Sequence, residues 1–534
     1  MKQQSTAKGF AVLSAAGMIV KVISLLYVPF LKMIIDWDGY GIYSEVYLIF
    51  AFAYVLTNSG IPVAISKMVS ELVAVGNYKD AIRTFKIARA LLLVLGLISA
   101  FLLMLLAKAI THNGEAFLGV VALAPAIFLT SVMSAYRGYF QGRGNMTPTA
   151  ISQVAEQIIN TIFSLVFAAI LIGKGVELGV VGATIGTTLG ALIACVYLII
   201  VYERGNEEDL NNENSGHPIK RLSNKVIIRR LIKYCVPLTL SVGLQNAGMV
   251  IDTRNIKTRL GVAGFDEKNG NAKFGFLNAY YTLIRVPLAI ISALSAAALP
   301  SIAGAFANGD RKLVKVKINY VYRVCALVSF PAAIGLAVLS KPLYEVLFSE
   351  SGEGYKLLAI GAVAVVFMAF VQIQVVILQG VGRLYSALVA ILIGIVAKII
   401  INYILVAIPA INIYGAVYAN IIYYLIPFLM NTYTIRKTLR VRINFIKVML
   451  KPAIASIFMG VGVYAAYFIL DTLFMTMKAN FVIRCSVLFF PVMLGGAIYA
   501  YVLVLVGGIT KHDLDSMSPR MVKLIPNFFK SRIR

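Results

Sequence analysis

Residues 9–35 form a predominantly apolar run interrupted by only two charges, Lys21 and Lys32, and it is too long for the apolar core of a cleaved signal peptide. A membrane-spanning helix needs about 20 mostly apolar residues, and by that rule runs of this kind recur roughly fourteen times. Their centres fall near Val22, Leu56, Val94, Phe128, Phe163, Leu189, Val242, Ile290, Val328, Val366, Val396, Ile421, Val463 and Leu494. Lipid offers backbone N–H and C=O groups no partner, so a spanning segment is either a helix or a strand of a closed barrel. The runs are continuous and lack the period-two alternation of barrel strands. The expected fold is therefore an all-α polytopic bundle of about fourteen transmembrane helices in the cell membrane, its first run retained as an anchor. A mean hydropathy of +0.85 with 13% charged residues agrees, and it excludes an ordinary soluble domain.

Lys and Arg number 49 against 23 Asp and Glu, a net charge of +26. If the N-terminus is cytoplasmic, about 31 of the 49 fall in loops on the inside and about ten outside, the bias of an N-in, C-in topology. The clearest cases are "RRLIKY", "RKTLRVRINFIKVMLK" and the tail "PRMVKLIPNFFKSRIR", and Arg137 and Arg143 of a cytoplasmic turn obey the same rule. The excess is thus a topology signal that also attracts anionic headgroups of membrane lipids. No nucleic-acid partner is expected. Cys195, Cys235, Cys325 and Cys485 lie in or beside apolar segments without CxxC spacing, and His112, His217 and His512 form no cluster, so neither disulfide nor metal site is expected.

The polar stretch "ERGNEEDLNNENSGHPIKRLSNK" separates six runs from eight. On either side a pattern recurs about 240 residues later, as expected of repeats with parallel topology. "YFQGRGNMTPTA" precedes a run holding Glu156 and Asn160, and "ILQGVGRLYSAL" precedes one holding Lys398 and Asn402. "GIPVAISKMVSELVAVGNYKDA" is likewise echoed by "AALPSIAGAFANGDRKLV". This organisation implies an N-terminal six-helix lobe at 1–205 and a cytoplasmic linker at 206–230. A second, pseudo-symmetric six-helix lobe follows at 231–440, then two extra transmembrane helices at 441–510 and a basic cytoplasmic tail at 511–534.

Ionisable side chains at membrane depth are costly, so they mark cavities or partners. Lys21 sits in the middle of the first run, while Lys32 is expected to snorkel toward an interface marked by Trp37. Glu45 opens the second run, and Lys67 follows the turn "SGIPVAISK". Gln153, Glu156, Gln157 and Asn160 share one helical face, extended by Ser164. That is more polarity than helix–helix adhesion needs, so it reads as the lining of an aqueous cavity. In the second half Arg285 precedes Pro287, where a helix break is expected, and Lys398 shares a face with Asn402. Asp252 and Arg254 are read as ending the seventh span with a local ion pair. The expected substrate-binding set is Lys21, Glu45, Lys67, Gln153, Glu156, Gln157, Asn160, Arg285, Lys398 and Asn402, a polar, net-cationic cavity between two bundles. Glu156 balances its cations, and Glu156 with Lys398 is the pair that stands out. Such a cavity suits an anionic headgroup, a diphosphate above all. No Walker A, HExxH or Gly-rich phosphate loop is present, so no catalytic residue and no cofactor is assigned and the chain is not read as an enzyme.

The stretches "KGFAVLSAAGMIVKVISLLY", "SGIPVAISKMVSE", "YRGYFQGRGNMTPTAISQVAEQ" and "ALPSIAGAFANGD" carry a resemblance that extends over nearly the whole chain. The chain resembles bacterial lipid II flippases and stage V sporulation protein B-like polysaccharide transporters of the multidrug/oligosaccharidyl-lipid/polysaccharide flippase superfamily. The resemblance implies a V-shaped pair of bundles working by alternating access. It further implies translocation of an undecaprenyl-diphosphate-linked cell-wall precursor, lipid II or a lipid-linked polysaccharide unit, from inner to outer leaflet. Cavity cations would hold the diphosphate, and residues 452–506 would form a groove for the lipid tail. One departure stands out: many lipid II flippases carry paired arginines in the first two spans, where this chain has Lys21 and Lys67 with Tyr27 between them, losing the bidentate fork. An ion gradient or the membrane potential is expected to reset the empty carrier, and the protein is expected to act as a monomer. Two alternatives use the same residues differently. A cation-coupled multidrug exporter would prefer buried carboxylates, and a membrane glycosyltransferase would use Asp36 and Asp38 in the first external loop but lacks a long external domain.

Overall fold

The computed structural model describes residues 6–111, 114–211, 221–348, 353–439, 445–474 and 481–507. The basic tail at 511–534, the middle of the linker at 212–220 and the three histidines lie outside the described residues. Among the described residues every regular element is a helix. The first nine are α1 (Thr6–Asn58), α2 (Gly60–Ala74), α3 (Tyr78–Ile110), α4 (Phe117–Gly142), α5 (Thr147–Leu171), α6 (Val176–Asn211), α7 (Asn224–Val262), α8 (Glu267–Arg285) and α9 (Leu288–Ala307). Then come α10 (Arg311–Val338), α11 (Ser340–Phe348), α12 (Gly354–Gly361), α13 (Ala364–Gly380), α14 (Leu384–Leu405), α15 (Tyr414–Leu439), α16 (Phe445–Phe474) and α17 (Phe481–Leu505).

Nine helices among the described residues are long and apolar enough to cross a membrane, or ten if α12 and α13, bent by 51°, make one span. The chain is a multi-pass protein of the cytoplasmic membrane. Within the first candidate, Ala15–Ala74, α1 is broken at Asp36, with φ 58° and ψ −177°. That conformation is otherwise almost confined to glycine, and it stops one helical arm and starts the next without an intervening loop. The other break expected from sequence is also present: α8 ends at Arg285, and α9 begins after Pro287.

Two sequence readings change. Asp252 and Arg254 do not end the seventh span, since α7 continues to Val262 and its polar residues find partners on neighbouring helices. Trp37 is not at a lipid interface; it is buried against Phe276 with ring centroids 4.4 Å apart, and Lys32 is buried over its other side at 5.0 Å. An indole and an alkyl stem bury well together, and the ammonium gains a π-face in place of water.

The turns of the two similar stretches share one geometry. Gly144 and Gly382 both adopt φ 73°, which a side chain disfavours. Each closes its helix with the same pair of bonds: Asn145 N–H to Phe140 O at 3.0 Å with Gly144 N–H to Gln141 O at 3.0 Å, and Arg383 N–H to Leu378 O at 2.7 Å with Gly382 N–H to Gln379 O at 3.1 Å. This is the Schellman arrangement, which satisfies helix carbonyls that would otherwise lack partners. The "GNYKDA" and "NGDRKL" turns share another device, in which Asn77 and Asp310 cap the next helix by accepting from Asp80 N–H and Leu313 N–H.

The chain divides into two compact units. Unit 1 comprises residues up to Asn278 together with Asn402–Asn412, and unit 2 comprises Ala279–Ile401 and Ile413 onward. In unit 1 an aromatic knot of Phe85, Tyr136, Tyr139 and Tyr202 ties α3, α4 and α6 together, with centroids 4.7 to 5.5 Å apart. The seam between α5 and α6 is set by Gly182, Gly186 and Gly190, one per turn. A β-carbon on Gly186 would lie 2.6 Å from the Asn160 carbonyl oxygen and overlap the Ser164 backbone. In unit 2, α16 and α17 pack on each other and α16 lies on α10, through Leu339, Met459, Val463 and Leu488. Tyr499 also donates its hydroxyl to Leu327 O at 2.9 Å.

Glycine at the seam gives a test with an internal control. Gly496, in α17, faces open space, and a β-carbon added there would meet nothing within 4 Å. Gly496→Ala should be neutral or stabilising by up to about 1 kcal/mol through helix propensity. Gly186→Ala should instead lower stability by about 1–3 kcal/mol through overpacking, read as a lower melting temperature of the detergent-purified protein.

Candidate functional site

Unit 1 carries a polar and aromatic column built from α1 and α5. On α1, Tyr40, Tyr43, Tyr47, Phe50 and Tyr54 follow at helical spacing, successive rings 4.5 to 6.2 Å apart. On α5 the predicted stripe is present. Asn160 Oδ1 accepts from Ser164 Oγ at 2.9 Å and from Thr187 Oγ at 3.0 Å, and Ser164 also contacts Ala183 O. Because Thr187 spends its proton on Asn160, the hydroxyl of Tyr47 donates to Thr187. The close α5–α6 seam makes this network reachable, since Gly186 lets Ser164 and Asn160 approach α6. Gln157 reaches Thr161 at 3.4 Å, and Gln153 is half-buried. Tyr27 is buried beside the column, its ring 6.2 Å from that of Tyr43.

Glu156 has a partner that the sequence reading places elsewhere. Arg137 of α4 donates to Glu156 Oε2 at 2.6 Å and to Ser152 Oγ at 3.0 Å, with side-chain exposures of 11% and 23% for Arg137 and Glu156. It is thus an interior ion-pair partner. α4 and α5 form a hairpin around the Gly144 turn, and Arg137 and Ser152 stand at matching distances from its ends. The Glu156 charge is therefore met within unit 1.

Glu45 lies two residues from Tyr43 and from Tyr47, so it projects from the opposite face of α1. There it accepts from Lys257 at 2.5 Å, with both side chains 3% exposed. Lys67 is half-exposed, 4.0 Å from Glu71 and 4.1 Å from the Tyr234 ring. Lys21 is exposed on the first arm of α1. Asn402 is fully buried and donates to Asp252 Oδ1 at 2.5 Å. The arrangement separates it from Lys398 by environment, although both are on α14: Asn402 belongs to unit 1 and Lys398 to unit 2.

Unit 2 brings two predicted cations to one ring. The Arg285 guanidinium lies 5.9 Å and the Lys398 ammonium 5.3 Å from the centroid of Tyr281, and Lys398 is also 5.8 Å from Tyr423. Tyr281 does not stand out in the sequence, because one tyrosine among 28 carries no signal of its own. Nearby, Tyr280 is fixed by donating to Gly361 O at 3.2 Å and accepting from Asn420 at 3.1 Å. An aromatic face attracts cations without neutralising them. Among the described residues no group of His, Cys, Asp and Glu is arranged to hold a metal ion.

Fold and side chains together define a polytopic helical membrane protein with polar interiors and, among the described residues, no metal-binding cluster. The chain belongs to the polysaccharide biosynthesis protein family, whose profile matches residues 6–306. Among curated relatives it is 27% identical to the lipid II flippase MurJ of Bacillus subtilis over 98% of both chains. It is 25% identical to stage V sporulation protein B of the same organism over 83% of this chain and 86% of that one. Among solved structures, a lipid II flippase MurJ in an inward closed conformation shares the fold with a TM-score of 0.64 and 14% identity, covering 92% of this chain and all of that one.

Proposed function

We propose that this protein is a flippase that moves a polyprenyl-diphosphate-linked glycan from the inner to the outer leaflet, lipid II being the first candidate. The observation that carries the reading is the pair Arg285 and Lys398 on Tyr281. Two cations fixed on one ring can each take an oxygen of a diphosphate, where a single cation would serve a single phosphate. The amide and hydroxyl stripe of α5, with its charge met by Arg137, supplies neutral partners suited to sugar hydroxyls. The name of the full-length MurJ relative supports the same substrate class.

In this reading the chain crosses the membrane about fourteen times with both ends inside, in accord with its basic loops. The polyprenyl tail stays in lipid beside α16 and α17, and anionic lipids surround the basic face. The protein acts as a monomer, without catalysis or a cofactor. Membrane potential contributes about 2.3 kcal/mol per 100 mV for each net charge carried across, enough to bias return of the empty carrier. Expression in a strain depleted of its lipid II flippases should restore growth and outer-leaflet precursor. If growth fails while the protein is folded and abundant in the membrane, lipid II is not the substrate. A gain in resistance to cationic drugs without rescue would favour an exporter.

A further inference from the structure

At the break in α1, unit 1 has a second cluster that the substrate reading does not use. Here α8 crosses the second arm of α1 at van der Waals distance. A β-carbon on Gly41 would overlap the backbone of Asn271, and one on Gly275 would come within 2.7 Å of Trp37 O. Two polar contacts surround this crossing. Lys257 of α7 holds Glu45 of α1 at 2.5 Å and lies 5.7 Å from the ring of Phe274. Asn271 of α8, buried, donates to Glu115 Oε2 at 2.5 Å. Asp38 of α1 stands one turn before Gly41, on the helix face that meets Asn271. One carboxylate oxygen of Asp38 is nonetheless buried without a partner.

The charges do not balance. Lys257 is ion-paired with Glu45 and its charge also acts on Asp38 and Glu115, while Glu267 of α8 adds a further negative charge that acts on Glu115. Asp36 and Lys268 act on Asp38 from its own helix and from α8. Glu45 has its own ion pair, which leaves two carboxylates near one amide: Glu115, bound to Asn271, and Asp38, with a buried oxygen that has no hydrogen-bond partner. Like charges so placed favour retention of a proton.

We propose that this clamp is a proton-binding site: one proton held between Glu115 and Asp38 beside Asn271 keeps α8 closed on α1, and its loss to solvent loosens the crossing. The sign follows from the environment of Glu115, which lies in the turn before α4. Burial, Glu267 and Asp38 raise its carboxyl above the ordinary range, against the opposing effects of the Asn271 hydrogen bond and Lys257. A group raised in the clamped form binds its proton more tightly there than in the open form. Acid therefore strengthens the clamp, and the stabilisation is lost as pH rises through the raised value. The site is distinct from the Tyr281 pair, and the inference does not depend on the identity of the substrate.

The chain supplies its own reporter, because Trp37 is its single tryptophan and is packed in this crossing. Quenching of Trp37 fluorescence by acrylamide should be measured on full-length protein in nanodiscs from about pH 4, near the ordinary glutamate value, up to about pH 8. The wild type should be shielded at the acid end, its quenching constant rising at least about twofold toward the alkaline end. Glu115→Gln, which keeps the shape and mimics the protonated form, should stay shielded throughout. His112→Gln, which removes the one histidine close in sequence, should behave as wild type. A flat wild-type profile would overturn the proposal. So would a wild-type profile in Glu115→Gln, or loss of the pH dependence in His112→Gln.

Discussion

Removing both cations from Tyr281, as Arg285→Ala with Lys398→Ala, should weaken binding of a diphosphate-headed lipid by at least about a hundredfold. Hydrogen bonds to charged groups contribute about 1.5–3 kcal/mol each, so two lost together amount to about 3–6 kcal/mol. Each single variant should lose about tenfold or more on the same scale. Arg285→Lys should recover part of the loss, because it retains the charge without the fork. Tyr281→Leu should fall between wild type and the single variants, since it removes the surface that positions both cations but neither charge. Titration of purified protein with a fluorescent polyprenyl-diphosphate would resolve these steps. A lipid with a neutral headgroup should bind all variants alike.

The second large effect concerns stability. Arg137→Ala leaves Glu156 without its ion pair in the interior of unit 1, and Ser152 loses a donor at the same time. Breaking a buried pair by removing one partner costs about 3–5 kcal/mol, and the partial exposure of Glu156 places this case near 3 kcal/mol. Removing both charges with Arg137→Gln and Glu156→Gln should restore most of that loss, because the cost lies in the stranded charge. Melting temperatures of the two single variants and the double variant make the required cycle. If the single and double variants melt alike, Arg137 does not hold Glu156.

The helices were legible because lipid leaves the backbone few choices. Continuous apolar runs, the Pro287 break and the paired "QGRGN" and "QGVGR" turns each dictated a local geometry that the structure contains. The stripe on α5 was legible for the same reason, since a shared face follows from spacing alone. What the stripe touches was not. Spacing within α5 does not reveal that Arg137 enters from α4, or that Glu45 points to Lys257 more than two hundred residues further along the chain. Tertiary neighbours also decided Trp37, whose type suited an interface but whose partner Phe276 lies on α8. The break at Asp36 falls where the sequence places a loop, but that one residue makes it without a loop was not legible, because aspartate rarely adopts that conformation and only the packing around it enforces it.

If the paired cations of unit 2 carry a diphosphate-linked glycan across the membrane, the most direct test is translocation in vesicles of purified protein and a labelled polyprenyl-diphosphate glycan. The lipid reaching the opposite leaflet is read by an impermeant enzyme. The wild type should move the lipid well above the rate in protein-free vesicles, and the Arg285→Ala, Lys398→Ala variant should fall to the protein-free rate. Equal transfer by wild type and variant, or none by a folded wild type under an imposed membrane potential, would contradict the account.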